Sequence, residues 1–370
     1  MFFIYLLSYI LSFLNSANGE SCNYKKQICD IRKAVFMISA FDPLASAVRI
    51  TATHLVTTRH SVADETRVKL LTKNGSTFFA DVLPTNLTGD LILLEAKNLP
   101  NTPIAQIANI QLNDVLRTVA IDLGKRRVKI YPPGTVTFVP LLGQPKARIH
   151  HTAYSQPGNS GGALINSQGS LVGIVASGGE GRFEAIPTSE ILRLKKQSGI
   201  IFSNINKKVG TAIRRCILKL ESIQQQPPRF LKNTEASNLA KTCLESTNRQ
   251  LYDMAASVIG RYGHLQKSIA LFKDALKEDL QAVNSRIGLL ISLSMSMKYK
   301  ETLPHIHWLL QRNINDTQIL RFGIQSGVWG ADKNLVNIAI SRLRKVNPKM
   351  VATAQKFIDN PPPLPKRKTN

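Results

Sequence analysis

The stretch Gly158-Asn159-Ser160-Gly161-Gly162, followed by Ala163-Leu164-Ile165, places one hydroxyl in a turn that only glycine-rich backbone can make. A serine hydroxyl is a poor nucleophile until a base takes its proton. The tetrahedral adduct it forms needs N–H donors aimed at its oxygen. A sharp glycine turn supplies such donors, and here the amides of Gly158 and Ser160 are expected to form the oxyanion hole. Gly161 and Gly162 leave room for neighbouring strands. The passage predicts a nucleophile loop with Ser160 at its tip.

Outward from this loop, residues 31–190 have the texture of an all-β region. Short apolar runs such as Ala34–Phe41, Ala47–Thr57, Arg67–Leu71, Leu91–Glu95, Arg117–Ile121 and Leu171–Ala176 alternate with Gly, Pro, Asn and Asp. This spacing predicts a sandwich or barrel rather than a parallel α/β sheet. Asn74-Gly75 predicts a two-residue hairpin turn. Thr188–Gln197, with Ile191, Leu192 and Leu194, predicts a helix that closes the β region.

Gly158–Leu164 resembles the nucleophile loop of the HtrA/Deg branch of trypsin-like serine proteases. Gly169–Val175 resembles the Gly-Ile-Val strand that follows it in that family, and Phe183-Glu184-Ala185-Ile186-Pro187 its closing phrase. Upstream, Leu55-Val56-Thr57-Thr58-Arg59-His60-Ser61-Val62 is similar to the segment that carries the base. Asp90-Leu91-Ile92-Leu93-Leu94 is similar to the strand that carries the third member. The resemblance covers roughly residues 31–198. It implies a chymotrypsin fold, an all-β double six-stranded barrel, with catalytic His60, Asp90 and Ser160 in that chain order. His54, Asp64 and Asp81 are the rivals. It also implies a specificity pocket with Tyr154, six residues before the nucleophile, near its base and Ala176-Ser177-Gly178 as the opposite wall. Small or medium apolar side chains, not Arg or Lys, are then expected before the scissile bond, unless Glu184 reaches the pocket. No metal and no organic cofactor is implied. No activation-cleavage site like Ile-Val-Gly-Gly is present, and the family's usual PDZ domain is not apparent.

At 370 residues, two or three domains are expected. Residues 20–198 are assigned to the protease-like domain and 199–238 to a linker or helical connection, marked by Gln224-Gln225-Gln226-Pro227-Pro228. Residues 239–359 show helical periodicity with an internal echo. Ala275, Leu309 and Leu343 are 34 residues apart, as are Phe272, Ile306 and Ile340, and Ser268, Thr302 and Val336. A 34-residue period is that of tetratricopeptide-like helix pairs, although Gly327 and Pro304 depart from the pattern. Residues 360–370 predict an extended, disordered Pro-rich basic tail.

Residues 1–19 read as a signal peptide. Phe2–Leu14 is uncharged and too short to span a bilayer, and Ala17-Asn18-Gly19 offers small residues for cleavage. Left uncleaved, the segment would be an N-terminal anchor; no other segment is apolar enough to cross a membrane. Export, to a bacterial periplasm or envelope or outside the cell, makes the four cysteines disulfide candidates. Four cysteines allow three pairings, of which the local pairs Cys22–Cys29 and Cys216–Cys243 are expected.

The net charge of +24 divides into +8 for residues 20–198 (21 basic, 13 acidic) and +16 for residues 199–370 (27 basic, 11 acidic). No nucleic-acid motif accompanies it, so nucleic acid is not the expected partner; an acidic protein is, for the helical half. The function expected is an exported serine endopeptidase acting on protein or peptide through an acyl-enzyme. The other reading is a binding or scaffold protein whose helices do the work while the protease fold is silent or regulated.

Overall fold

A computed structural model describes residues 22–71, 76–141, 144, 146–179, 181–226, 230–312 and 316–364. The expected signal segment, the Asn74-Gly75 turn, Pro227-Pro228 and the tail from Pro365 lie outside the described residues. The first strands follow a short helix, α1 (Lys26–Ala34): β1 (Val35–Ser39), β2 (Ala45–Arg49), β3 (His54–Thr58), the one-turn helix α2 (Arg59–Val62), β4 (Arg67–Leu71), β5 (Thr77–Leu83) and β6 (Leu91–Glu95). They close in the order β1-β2-β3-β6-β5-β4, with β4 returning to β1. The second set is β7 (Val115–Asp122), β8 (Arg127–Ile130), β9 (Gly134–Phe138), β10 (Ile149–His151), β11 (Ala163–Asn166), β12 (Leu171–Gly179) and β13 (Arg182–Pro187). Because β11 also pairs with β7, the order β7-β9-β10-β13-β12-β11 closes a second ring, and β8 pairs on the far half of β7. Two closed six-stranded antiparallel barrels of the chymotrypsin fold result. In closing, they leave few of the unpaired edges that invite association.

Side-chain alternation explains which faces turn inward. In β4, Val68 and Leu70 are buried while Arg67 and Lys69 are exposed, the pattern of a sheet wet on one side. β6 lacks alternation because both of its faces are covered. Ile92 and Leu94 enter the core of the first barrel. Leu91 and Leu93 join a core between the barrels that includes Val119, Ala163 and Ile174, and is closed by α3 (Ser189–Lys196) through Ile191 and Leu194. The expected closing helix is this one.

Nine helices follow among the described residues: α4 (Ser203–Gln225), α5 (Asn233–Glu245), α6 (Arg249–Arg261), α7 (Leu265–Glu278), α8 (Val283–Met295), α9 (Tyr299–Gln311), α10 (Thr317–Gly330), α11 (Lys333–Val346) and α12 (Val351–Asp359). The starts of α6, α8, α10 and α12 advance by 34 residues, as do those of α7, α9 and α11. Ala275, Leu309 and Leu343 are fully buried at matching places. Pro304 lies inside α9.

The boundary expected at residue 239 does not coincide with the helices. It falls within α5, and the preceding stretch contains the 23-residue α4. The polar Gln run suggested a linker. Further back, Val209, Ile213, Cys216 and Leu220 recur at helical spacing and are buried against α5 and α6. The pair Cys216–Cys243 ties α4 to α5, and Cys22–Cys29 ties the first described residue to α1, as expected. Closing the 27-residue separation between Cys216 and Cys243 contributes about 3–4 kcal/mol through the unfolded chain.

Candidate active site

The barrels meet with β3, the start of β6 and the loop before β11 facing one cleft. β3 ends in α2, whose first two amides are claimed by a single residue. Arg59 N–H donates to Asp90 O at 3.0 Å, and His60 N–H donates to Asp90 Oδ1 at 2.9 Å. These bonds fix the His60 backbone against the carboxylate that its ring also meets. Nδ1 lies 2.7 Å from Asp90 Oδ2, and Nε2 lies 3.0 Å from Ser160 Oγ. With Nδ1–H donating to the carboxylate, Nε2 is left as the acceptor for the serine hydroxyl.

Asp90 has no exposed side-chain surface, and His60 retains 13%. Burial alone would push the Asp90 carboxyl upward. The His60 ring, its backbone amide and the nearby Arg148 guanidinium outweigh burial and hold it below its usual value. Asp90 is therefore a carboxylate at neutral pH. Of the rivals, Asp64 pairs with Arg214, Asp81 is 72% exposed beside Arg67, and the His54 ring meets Thr51.

The serine loop is held from below. Asn159 is buried; its amide donates to Ile121 O at 2.8 Å, and its Oδ1 accepts from Gln156 N–H at 2.8 Å. Gly161 has φ +80°. A β-carbon there would lie 2.0 Å from Ser46 O and 2.2 Å from Thr57 Oγ1. No other residue fits this position, which explains the glycine after the serine. Gly158 also has positive φ, at +87°. Neither the Gly158 nor the Ser160 N–H is donated to a protein acceptor among the described residues.

Of the residues expected to line a specificity pocket, Ala176 meets the serine. Ser160 Oγ is 3.4 Å from Ala176 O. Tyr154 is half-exposed, stacked on Tyr131 at 5.8 Å and edge-on to Phe183 at 6.0 Å. Glu184 is buried. It accepts from Ser177 Oγ at 3.1 Å and is paired with Arg249 of α6.

Residues 45–174 match the trypsin-like peptidase domain. The "Serine protease Do-like HtrA" of Lactobacillus helveticus is 29% identical over 158 residues, which cover 38% of this chain and 38% of that protein. The "Probable periplasmic serine endoprotease DegP-like" of Buchnera aphidicola subsp. Schizaphis graminum is 24% identical over 298 residues, covering 73% and 60%. The chain thus spans between 38% and 60% of these curated relatives' lengths. Among solved structures, "HtrA-type protease AlgW with tripeptide" is 25% identical, covering 46% of this chain and 61% of that one, with a TM-score of 0.41. The similarity is to HtrA- and DegP-type serine proteases.

Apart from Glu184, the sequence motifs do not include the charged residues that back the site. Arg148, His150 and Glu184 on the second barrel, with Arg249, Asp253 and Asp279 from the helices, form a buried network. Asp279 Oδ2 lies 3.0 Å from His150 Nε2 and 3.9 Å from Arg249, and Arg249 lies 3.2 Å from Asp253. The available signal was the presence of Arg and Glu inside apolar strand phrases, Ala147–Ile149 and Phe183–Ile186. α4 also backs the site, where Arg59 Nη2 donates to Asn206 Oδ1 at 2.9 Å.

Proposed function

We propose that the chain is a serine endopeptidase acting on protein or peptide substrates. Ser160 Oγ attacks the scissile carbonyl while His60 Nε2 takes its proton. Asp90 holds the imidazole tautomer and stabilises the imidazolium. The Gly158 and Ser160 amides donate to the oxyanion. His60 then returns the proton to the leaving amine, and the acyl-enzyme is hydrolysed by a water that His60 activates. The observation that carries this reading is the continuous line of short contacts from Asp90 through His60 to Ser160, beside two amides free of protein acceptors. A fluorophosphonate probe, which reacts only with an activated serine, is expected to label the purified chain near one equivalent at Ser160. An absence of labelling in folded protein would reject the reading.

The Tyr154 pocket, with Ala176, Ser177 and Gly178 as its wall, favours small or medium apolar side chains. Glu184 does not reverse this preference, since its charge is already committed to Arg249 and its oxygen to Ser177. A peptide-library profile is expected to show Ala, Val or Leu before the cleaved bond. A profile dominated by Arg or Lys would refute the assignment.

The chain functions after export, in a bacterial envelope or outside the cell. Two disulfide pairs fit an oxidising compartment. The name of the Buchnera relative, which says periplasmic, points the same way. The helices, with their 34-residue advance, are tetratricopeptide-like, and their charge suits the capture of an acidic protein or substrate.

A further inference from the structure

Arg148 lies immediately before β10, only 4% of its side chain exposed, with Nη2 at 3.7 Å from Asp90 Oδ2. Its Nη1 is buried with no hydrogen-bond partner among the described residues. Its main-chain N–H donates to Asp279 Oδ2, at the end of α7, at 3.3 Å. The gap behind it, lined by Asp90, Arg148, Glu190, Asn248 and Arg249, has a volume of about 10 Å³. That is room for one water at most, so the charge acts on Asp90 through nearly dry protein. A barrel strand does not need a buried guanidinium for packing. Met or Leu would fill the place without the desolvation cost.

We propose that Arg148 is a positioning residue for the reaction, held in place by Asp279 of the helical array, and that its charge on Asp90 sets the acid limb of the pH profile. The inference rests on the peptidase reading above.

The groups that bear on this titration come from several elements. Asp90 faces His60 and Arg59 of α2 as well as Arg148. His60 faces Asp90, Ser160 and Asp42. Arg148 faces Asp90, Glu184 of β13, and Arg249 and Asp279 of the helical half. The sign follows from Coulomb's law. A cation beside Asp90 draws on the carboxylate's field and repels a proton on His60. Removing that cation leaves the carboxylate's field freer to favour a positive charge beside it, which places the variants' acid limb at higher pH.

The test is kcat/KM against pH for the full chain and for Arg148→Gln, Arg148→Met and Arg148→Lys. Fluorophosphonate labelling counts the active sites, and thermal unfolding checks each fold. In the two neutral variants the acid midpoint is expected to rise by about one pH unit, giving roughly tenfold loss below it and an alkaline plateau within about threefold of the parent. Arg148→Lys is expected to keep the midpoint near the parent's. Met replaces the buried charge with apolar volume, so a poorly folding Gln variant still leaves one neutral variant to measure. A uniform loss at all pH values with an unmoved midpoint overturns the proposal, leaving Arg148 a packing role. A parent chain that never labels defeats the peptidase reading itself, and the inference with it. Normal labelling with unchanged midpoints defeats only the inference.

Discussion

Ser160→Ala is expected to lower kcat/KM on a peptide substrate by about 10⁴–10⁶-fold with little change in thermal unfolding. The loss is large because the covalent route disappears entirely. The residual rate reflects substrate binding and the donors of the Gly158–Ser160 turn, which the alanine leaves in place. Stability should hold because the loop is carried by Asn159, Gly161 and backbone bonds rather than by the hydroxyl. Gly161 N–H donates to Val175 O and Gly162 N–H to Asn159 O, both at 2.9 Å. The measurement is turnover of an apolar peptide, with probe labelling as the control. An alanine variant that retains more than a few per cent of parental turnover would place the nucleophile elsewhere.

The second large effect lies at the contact between barrel and helices. Arg249 of α6 is 1% exposed and is the counter-ion of buried Glu184. Its Nη1 also donates to Ser285 Oγ at 3.0 Å, and that hydroxyl donates to Asp253 at 2.8 Å. Arg249→Met would leave a buried carboxylate short of its main cation. The expected cost is about 3–5 kcal/mol. Adding Glu184→Gln removes the stranded charge, and most of the loss should return. Denaturant or thermal unfolding of the parent, both singles and the double variant gives the coupling directly. Strictly additive losses would mean that the pair does not act as a unit.

The same network predicts an acid response. Burial pushes Glu184 upward, but Arg249, His150 and Arg148 more than offset it, so its pKa lies below the ordinary value. Burial likewise opposes ionisation of Asp279, yet the hydrogen bond and charge of His150, with Arg249, bring its pKa down to about 2. Depressed carboxylates contribute stability that is complete above their unfolded pKa, near 4, and lost as pH falls from there toward about 2. The parent should therefore lose stability across that window. The double variant, with one such carboxylate removed, should show a shallower fall. Both midpoints can be followed by tryptophan fluorescence, since Trp308 of α9 stacks on Phe138 at the end of β9.

Much of this was legible before any coordinates. The short apolar runs Arg67–Leu71 and Leu91–Glu95 announce the strands β4 and β6. The glycine after Ser160 announces a turn no other residue could make. The 34-residue echo of Ala275, Leu309 and Leu343 anticipates the spacing of the helices that carry them. The stretch 199–238 read as a linker or helical connection. The Gln run near residue 225 looked like the edge of a linker, yet α4 before it is an integral helix seated on α2 through Gly210, where a β-carbon would lie 2.4 Å from Ala63 O.

Strand period, helix period, the glycine turn and the order of three short phrases are properties of neighbouring residues, and the chain's letters were enough to determine them. The buried charges were decided only in three dimensions. Arg148 reaches a carboxylate 58 positions earlier, and Glu184 a guanidinium 65 positions later. An ion pair across such distances leaves no periodic trace, since a charge set in an apolar phrase does not say which distant residue it meets. Only packing removes the water that would otherwise make the pairing immaterial.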